Sequence, residues 1–180
     1  MNITEMTVAA LTEAVEKREL SSREITEAYL ARADETEPCV NSYITLCREK
    51  ALEAADKADM SDIPAIKKIP FAVKDNVAYE GVRMTCASRM LESFVPAYTA
   101  EVVERMGGIV LGKTNLDEFA MGSSCEKSLF GATHNPISYD YSAGGSSGGS
   151  ALSRQLRRTQ TADECFLPYP YRWTKERSLP

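Results

Sequence analysis

Apolar residues recur along the first part of the chain at near-helical spacing. Val8, Leu11, Val15 and Leu20 fall on one stripe and predict a helix over residues 5–19. Ser21 and Glu24 then stand three residues apart, the pattern of a capping box. They open a second helix with Ile25 and Tyr29 on one face, and Pro38 is expected to end it. Val40 to Leu46 is a short run rich in β-formers. Residues 48–59 alternate charge with alanine and predict a surface helix. The unbroken run Ile69-Pro70-Phe71-Ala72-Val73 reads as a buried strand that closes on the charge of Lys74. Glu101 to Met106 predicts a short helix, and Gly108-Ile109-Val110-Leu111-Gly112 a second buried strand. Asn115 to Met121 reads as a helix start or a turn, with Asn115 as its cap and Asp117 and Glu118 favouring the helix dipole. Helices interleaved with buried strands define an α/β layer, and no segment repeats.

Composition narrows the classes without choosing among them. At 180 residues the chain is long enough for one domain with a real core. Its net charge of −5 gives no general basic footprint for nucleic acid. The first thirty residues lack the pattern of a signal peptide, and no apolar run approaches a membrane span, so the expectation is a cytoplasmic protein without a membrane partner. The five cysteines, Cys39, Cys47, Cys86, Cys125 and Cys165, show no CxxC spacing and read as reduced thiols, with no metal site. His134 is the only histidine, and His134-Asn135-Pro136 reads as a turn. Met84 and Met121 read as packing residues.

Two segments hold candidate chemistry. A lysine that closes a buried strand, as Lys74 does, is a candidate general base, because desolvation disfavours its charged form. The ordinary alternative is a solvated strand end. The run from Gly144 to Ser150 packs four glycines and three serines into seven residues. It is either a flexible linker or a tight loop that presents backbone N–H groups to an anion. No Gly-Lys-Ser/Thr follows it, which excludes a phosphate-binding P-loop, and the His and Asp partners of a GxSxG nucleophile elbow are not apparent. From Leu152 the character changes. Arg154, Arg157, Arg158, Arg172, Lys175 and Arg177 mix with Pro168, Pro170 and Pro180, without a sustained period. Residues 152–180, with the lone Trp173, are expected to form a disordered tail behind a domain spanning 1–151.

Taken in order, these segments resemble the amidase signature family over about residues 5–151. Ile69 to Asn76 is similar to the family's lysine strand. Thr85-Cys86-Ala87-Ser88, Met90-Leu91-Glu92 and Phe94-Val95-Pro96 are similar to the loop behind it. Gly112 to Ser124, with Asp-Glu-Phe-Ala-Met-Gly-Ser-Ser, resembles the tRNA-dependent amidotransferase branch. Gly144 to Ala151 resembles the first half of the signature itself. The resemblance implies an incomplete amidase-signature domain, with N-terminal helices and part of a mixed central sheet. It makes Lys74 the base and Ser146 the bridging serine of a cis peptide in a Ser–Ser–Lys relay. Met121, Gly122, Ser123, Ser124, Gly144, Gly145 and Ser147 become candidates for the substrate pocket or oxyanion hole. In that branch a glutaminase component supplies ammonia for amidation of Glu-tRNA(Gln) or Asp-tRNA(Asn). ATP and Mg²⁺ act at a partner subunit, so no cofactor is expected on this chain. The implied partners are the B and C subunits, and tRNA is met only through the complex.

The likeness stops at two places. The family's nucleophilic serine lies in an Asp-Thr-Gly-Gly-Ser segment, whereas here the corresponding vicinity reads Phe166-Leu167-Pro168-Tyr169-Pro170-Tyr171, so no nucleophile is identified. Between Val103 and Gly112 the chain is shorter than the family by about one helical turn. The 180-residue product is therefore expected to be inactive alone. Alternatives are a non-catalytic module that docks on the amidotransferase partner and a fragment of a small-molecule amidase. Codons for Leu152 to Thr159 can be chosen so that a shifted frame reads Val-Ala-Ala-Thr-Glu-Ala-Tyr, similar to the family's continuation. Sequencing the gene through codon 151 and well past it is expected to show a one- or two-base change of frame, followed by codons for Asp-Thr-Gly-Gly-Ser. A confirmed frame with nothing family-like downstream would make the tail genuine.

Overall fold

The computed structural model describes residues 2–155. The expected disordered segment, apart from its first four residues, and Trp173 lie outside them. The elements run α1 (Val8–Glu16), α2 (Ser22–Val40), β1 (Tyr43–Leu46), α3 (Arg48–Met60), β2 (Pro70–Lys74), α4 (Glu101–Met106), β3 (Ile109–Thr114) and α5 (Gly148–Gln155). The sheet is mixed, in the order β1-β3-β2. β3 pairs antiparallel with β1 and parallel with β2, and Lys74 stands opposite Thr114. Flanked on both edges, β3 is buried at every residue. Among the described residues no helix is long and apolar enough to cross a membrane.

The N-terminal pattern translates directly. Leu11, Ile25 and Ile69 form a buried cluster, with Val15, Leu20 and Tyr29 packed around it. The capping box of α2 is complete: Ser21 Oγ accepts from the Glu24 amide, and the Ser21 amide donates to Glu24. Asp59, near the end of α3, accepts from the Ser22 and Arg23 amides and joins the two helices.

Several expectations need correction. Pro38 does not end α2, which continues to Val40. A proline forfeits one helical hydrogen bond. Here the last turn is held by burial of Val40 and by Asn41, which caps in the left-handed region at φ 52°. The Asn41 amide side chain is itself anchored on the Phe130 and Ala132 carbonyls. The strand that follows is accordingly shorter than Val40–Leu46. α3 is not wholly a surface helix: its alanine stripe, Ala51, Ala55 and Ala58, packs on Ile109 of β3. β3 runs two residues beyond Gly112 and carries Lys113 and Thr114 into the interior. Met121 is no packing residue, since it is 78% exposed.

Glu37, near the end of α2, turns its side chain toward the start of β1. Its carboxylate accepts from Ser42 Oγ and, at 2.9 Å, from the Tyr43 amide. Burial pushes this carboxyl above the ordinary range, and those hydrogen bonds offset only part of the shift. A carboxyl raised on folding favours the native state below its unfolded pKa of about 4.3, and this contribution is lost as pH rises through the folded value. Glutamine preserves an acceptor for Tyr43 and a partner for Ser42 without ionising. Glu37→Gln is therefore expected to gain stability over the parent as pH rises from acid to neutral, read from urea midpoints across that range. A constant difference would count against a raised carboxyl.

Candidate active site

The site begins where β2 runs out. Lys74 is the last residue of the strand and half-buried. Its Nζ donates to Ser146 Oγ at 2.8 Å and to Ser147 Oγ at 2.7 Å. The Gly-Ser run is not a linker. Its first part is an extended turn with a cis Gly145–Ser146 peptide, and at Gly148 it winds into α5. α5 crosses the point where the composition changes and continues to Gln155. Leu152 is 2% exposed and packs on Val40.

Glycine is required here by close approach. A Cβ on Gly149 would stand 2.5 Å from the Asn115 amide nitrogen and 2.6 Å from its carbonyl oxygen. Its own amide donates to that carbonyl at 3.2 Å. A Cβ on Gly145 would collide with the Asp117 carboxylate and the Ser123–Ser124 backbone. Thr114 and Ser150 share a 2.7 Å hydrogen bond and fasten α5 to the end of β3.

Behind the serines stands Asp117, fully buried. Its backbone amide donates to the Ser146 carbonyl at 3.1 Å. Its carboxylate accepts from the Cys125 amide at 3.0 Å and the Lys127 amide at 3.2 Å. Asp117 thus holds the 122–127 turn against the Gly145–Ser146 peptide and is not a helix-dipole residue. Asn115 is no cap either. Its side chain donates to the Asn41 and Gly131 carbonyls and accepts from Ser128 Oγ and the Leu116 amide. The expected helix start reduces to one short turn, Glu118–Ala120, whose Phe119 has φ 50°. Cys86, Ala87, Ala120 and Cys125 also adopt positive φ, which for residues with a Cβ costs energy that the surrounding hydrogen bonds must offset.

Of the other candidates, Ser147 touches Lys74, and Ser123 and Ser124 press on Gly145. Ser124 Oγ itself donates to Glu126. Gly122 backs onto the Asp117 carboxylate, Gly144 turns the chain at φ 77°, and Met121 stands in solvent. His134 packs near Tyr139 and bridges to Ser142.

Sequence reasoning missed the polar core under the lysine. Asp75 and Lys113 are both fully buried, with Nζ to Oδ1 at 3.0 Å. The other carboxylate oxygen of Asp75 accepts from the Thr85 amide at 2.9 Å and from Thr85 Oγ1 at 2.5 Å. The available signal was positional: on a strand, residues adjacent to Lys74 and Thr114 point to the opposite face.

A lysine that closes a strand, a serine turn on its amine and a glycine-backed helix start thus meet at the end of β2. The family model described as Amidase matches residues 24–153, and the chain belongs to the amidase signature family. Among curated relatives, it is 45% identical over 175 residues to the A subunit of the glutamyl-tRNA(Gln) amidotransferase of Lachnospira eligens, covering 92% of this chain and 35% of that protein. The corresponding protein of Caldanaerobacter subterraneus subsp. tengcongensis is 47% identical over 160 residues, covering 85% and 33%. Among solved structures, the glutamyl-tRNA(Gln) amidotransferase A subunit of Thermotoga maritima superposes with a TM-score of 0.70 at 33% identity, over 86% of this chain and 32% of that one. A 6-aminohexanoate cyclic dimer hydrolase superposes with a TM-score of 0.76 at 30% identity, over 85% and 32%. The chain thus spans about a third of the length of the relatives it matches.

Gly149→Ala is expected to lower stability by about 1–3 kcal/mol, because backbone on both sides of the added methyl cannot yield freely. Denaturant unfolding measures this, and an unchanged midpoint would show that α5 is not seated as described.

Proposed function

We propose that this chain carries the base and relay of an amide-hydrolysing centre. Lys74 takes the proton of Ser146, and Ser146 takes that of a nucleophilic serine supplied from outside the described residues. Backbone amides around the glycine-backed turn would receive the developing oxyanion. The observation that carries this reading is the 2.8 Å contact between Lys74 Nζ and Ser146 Oγ, with Ser147 equally near. Two hydroxyls on one amine, held by a turn that glycine alone permits, form a pre-set path for a proton.

The amide in this reading is glutamine, and the released ammonia serves a tRNA-dependent amidation. Support comes from the relatives, which are glutamyl-tRNA(Gln) amidotransferase A subunits, and from the Asp117 to Ser124 segment. ATP, Mg²⁺ and mischarged tRNA would act on partner subunits. The 180-residue chain, read this way, holds a base and a relay without the Asp-Thr-Gly-Gly-Ser segment that would bring the nucleophile. Purified chain is expected to release no ammonia from glutamine above a Lys74→Ala control. Turnover above that control would overturn the missing-nucleophile reading and point to Ser146 or Ser147 as the attacking group.

A further inference from the structure

The buried pair of Asp75 and Lys113 has no place in the proton path, yet it sits at the residue that follows Lys74 and ties it to Thr85, Cys86 and Thr114. We infer that Asp75, held by Lys113 and Thr85, is the positioning residue of the Lys74 amine; this rests on the reading of Lys74 as the base. Asp75 follows Lys74 directly, so its side chain enters the opposite face of the sheet. There Lys113 Nζ grips one carboxylate oxygen at 3.0 Å, while Thr85 grips the other through its amide and hydroxyl. The backbone is tied at the same residues. The Asp75 amide donates to the Thr114 carbonyl at 3.1 Å, and the Cys86 amide donates to the Asp75 carbonyl at 3.2 Å. Thr114, next to Lys113, carries the bond to Ser150 of α5. The pair therefore locks the strand that presents the lysine to the strand that seats the serines.

The arrangement goes beyond what strand pairing needs. A buried ion pair is no cheaper than an apolar contact of the same volume, and it demands fixed geometry. Here the geometry it fixes is that of one backbone junction. With Asp75 anchored on one face, the Lys74 side chain has a set origin on the other. A displacement there would break its contacts with Ser146 and Ser147.

Competitive labelling of the intact 180-residue chain by fluorodinitrobenzene, read by peptide mass spectrometry, tests this. Lys57, exposed on α3, is the internal standard. In the parent, Lys74 is expected to react more slowly than Lys57, because its amine is engaged. Thr85→Ala removes one grip on Asp75 and is expected to raise the Lys74-to-Lys57 ratio about three- to tenfold, the range one hydrogen bond supports. Thr85→Ser is expected to restore it, and Asp75→Asn to raise it further where the variant stays folded by near-UV circular dichroism. A purely structural role would lower the melting temperature and leave the ratio unchanged well below it; that result in folded Thr85→Ala overturns the inference. Equal labelling of Lys74 and Lys57 in the parent would instead strike at the base reading itself.

Discussion

One carboxylate carries a disproportionate part of this structure. Asp75 sits where β2 ends, and with Lys113, Thr85 and the backbone of Thr114 and Cys86 it closes a buried polar knot at the end of the sheet. Removing either partner of a buried ion pair leaves an uncompensated charge and costs about 3–5 kcal/mol, a large share of a small domain's stability. The knot sets where β2 stops, how the 75–88 loop departs, and how the central strand meets both. The half-buried lysine on the other face inherits its position from these contacts.

The second organising centre, Asp117, works by the same principle in a loop. Its carboxylate gathers amides from the 122–127 turn, and its own amide holds the Ser146 carbonyl. Two buried aspartates thus fix the two halves of the site, one from the sheet and one from the loop. The glycines at 145 and 149 let the halves approach until backbone meets backbone. Neither aspartate touches the lysine–serine contact, but the contact depends on both.

Much of the frame was legible in the sequence. Helical spacing located α1 and α2, and the Ser21–Glu24 capping box fixed the start of α2 to the residue. The continuous apolar runs marked β2 and β3, but only β3 is buried at every residue; β2, at the sheet edge, buries Val73 alone. That Lys74 and Ser146 belong together was legible through resemblance, since spacing alone leaves a strand-terminal lysine indistinguishable from a solvated one. The polar interior was not legible. Asn115 and Asp117 read as cap and helix-dipole residues, and Asp75 and Lys113 drew no reading of their own, because sequence pattern prices polar groups by their cost in isolation. Tertiary partners cancel that cost, and those partners lie 8 to 74 positions away. Pro38 misled for a related reason: burial of Val40 outweighed one lost helical bond.

Lys74 and Ser146 are 72 positions apart. On a ribosome adding about 5–20 residues per second, the lysine is synthesised roughly 4–14 s before its serine partner. β2 and β3 can meet in that interval, with the Asp75 knot already tied. The amine then waits, aimed and without a hydroxyl, until the glycine turn arrives and α5 winds against the end of β3. The order of synthesis builds the socket before the part that fits it.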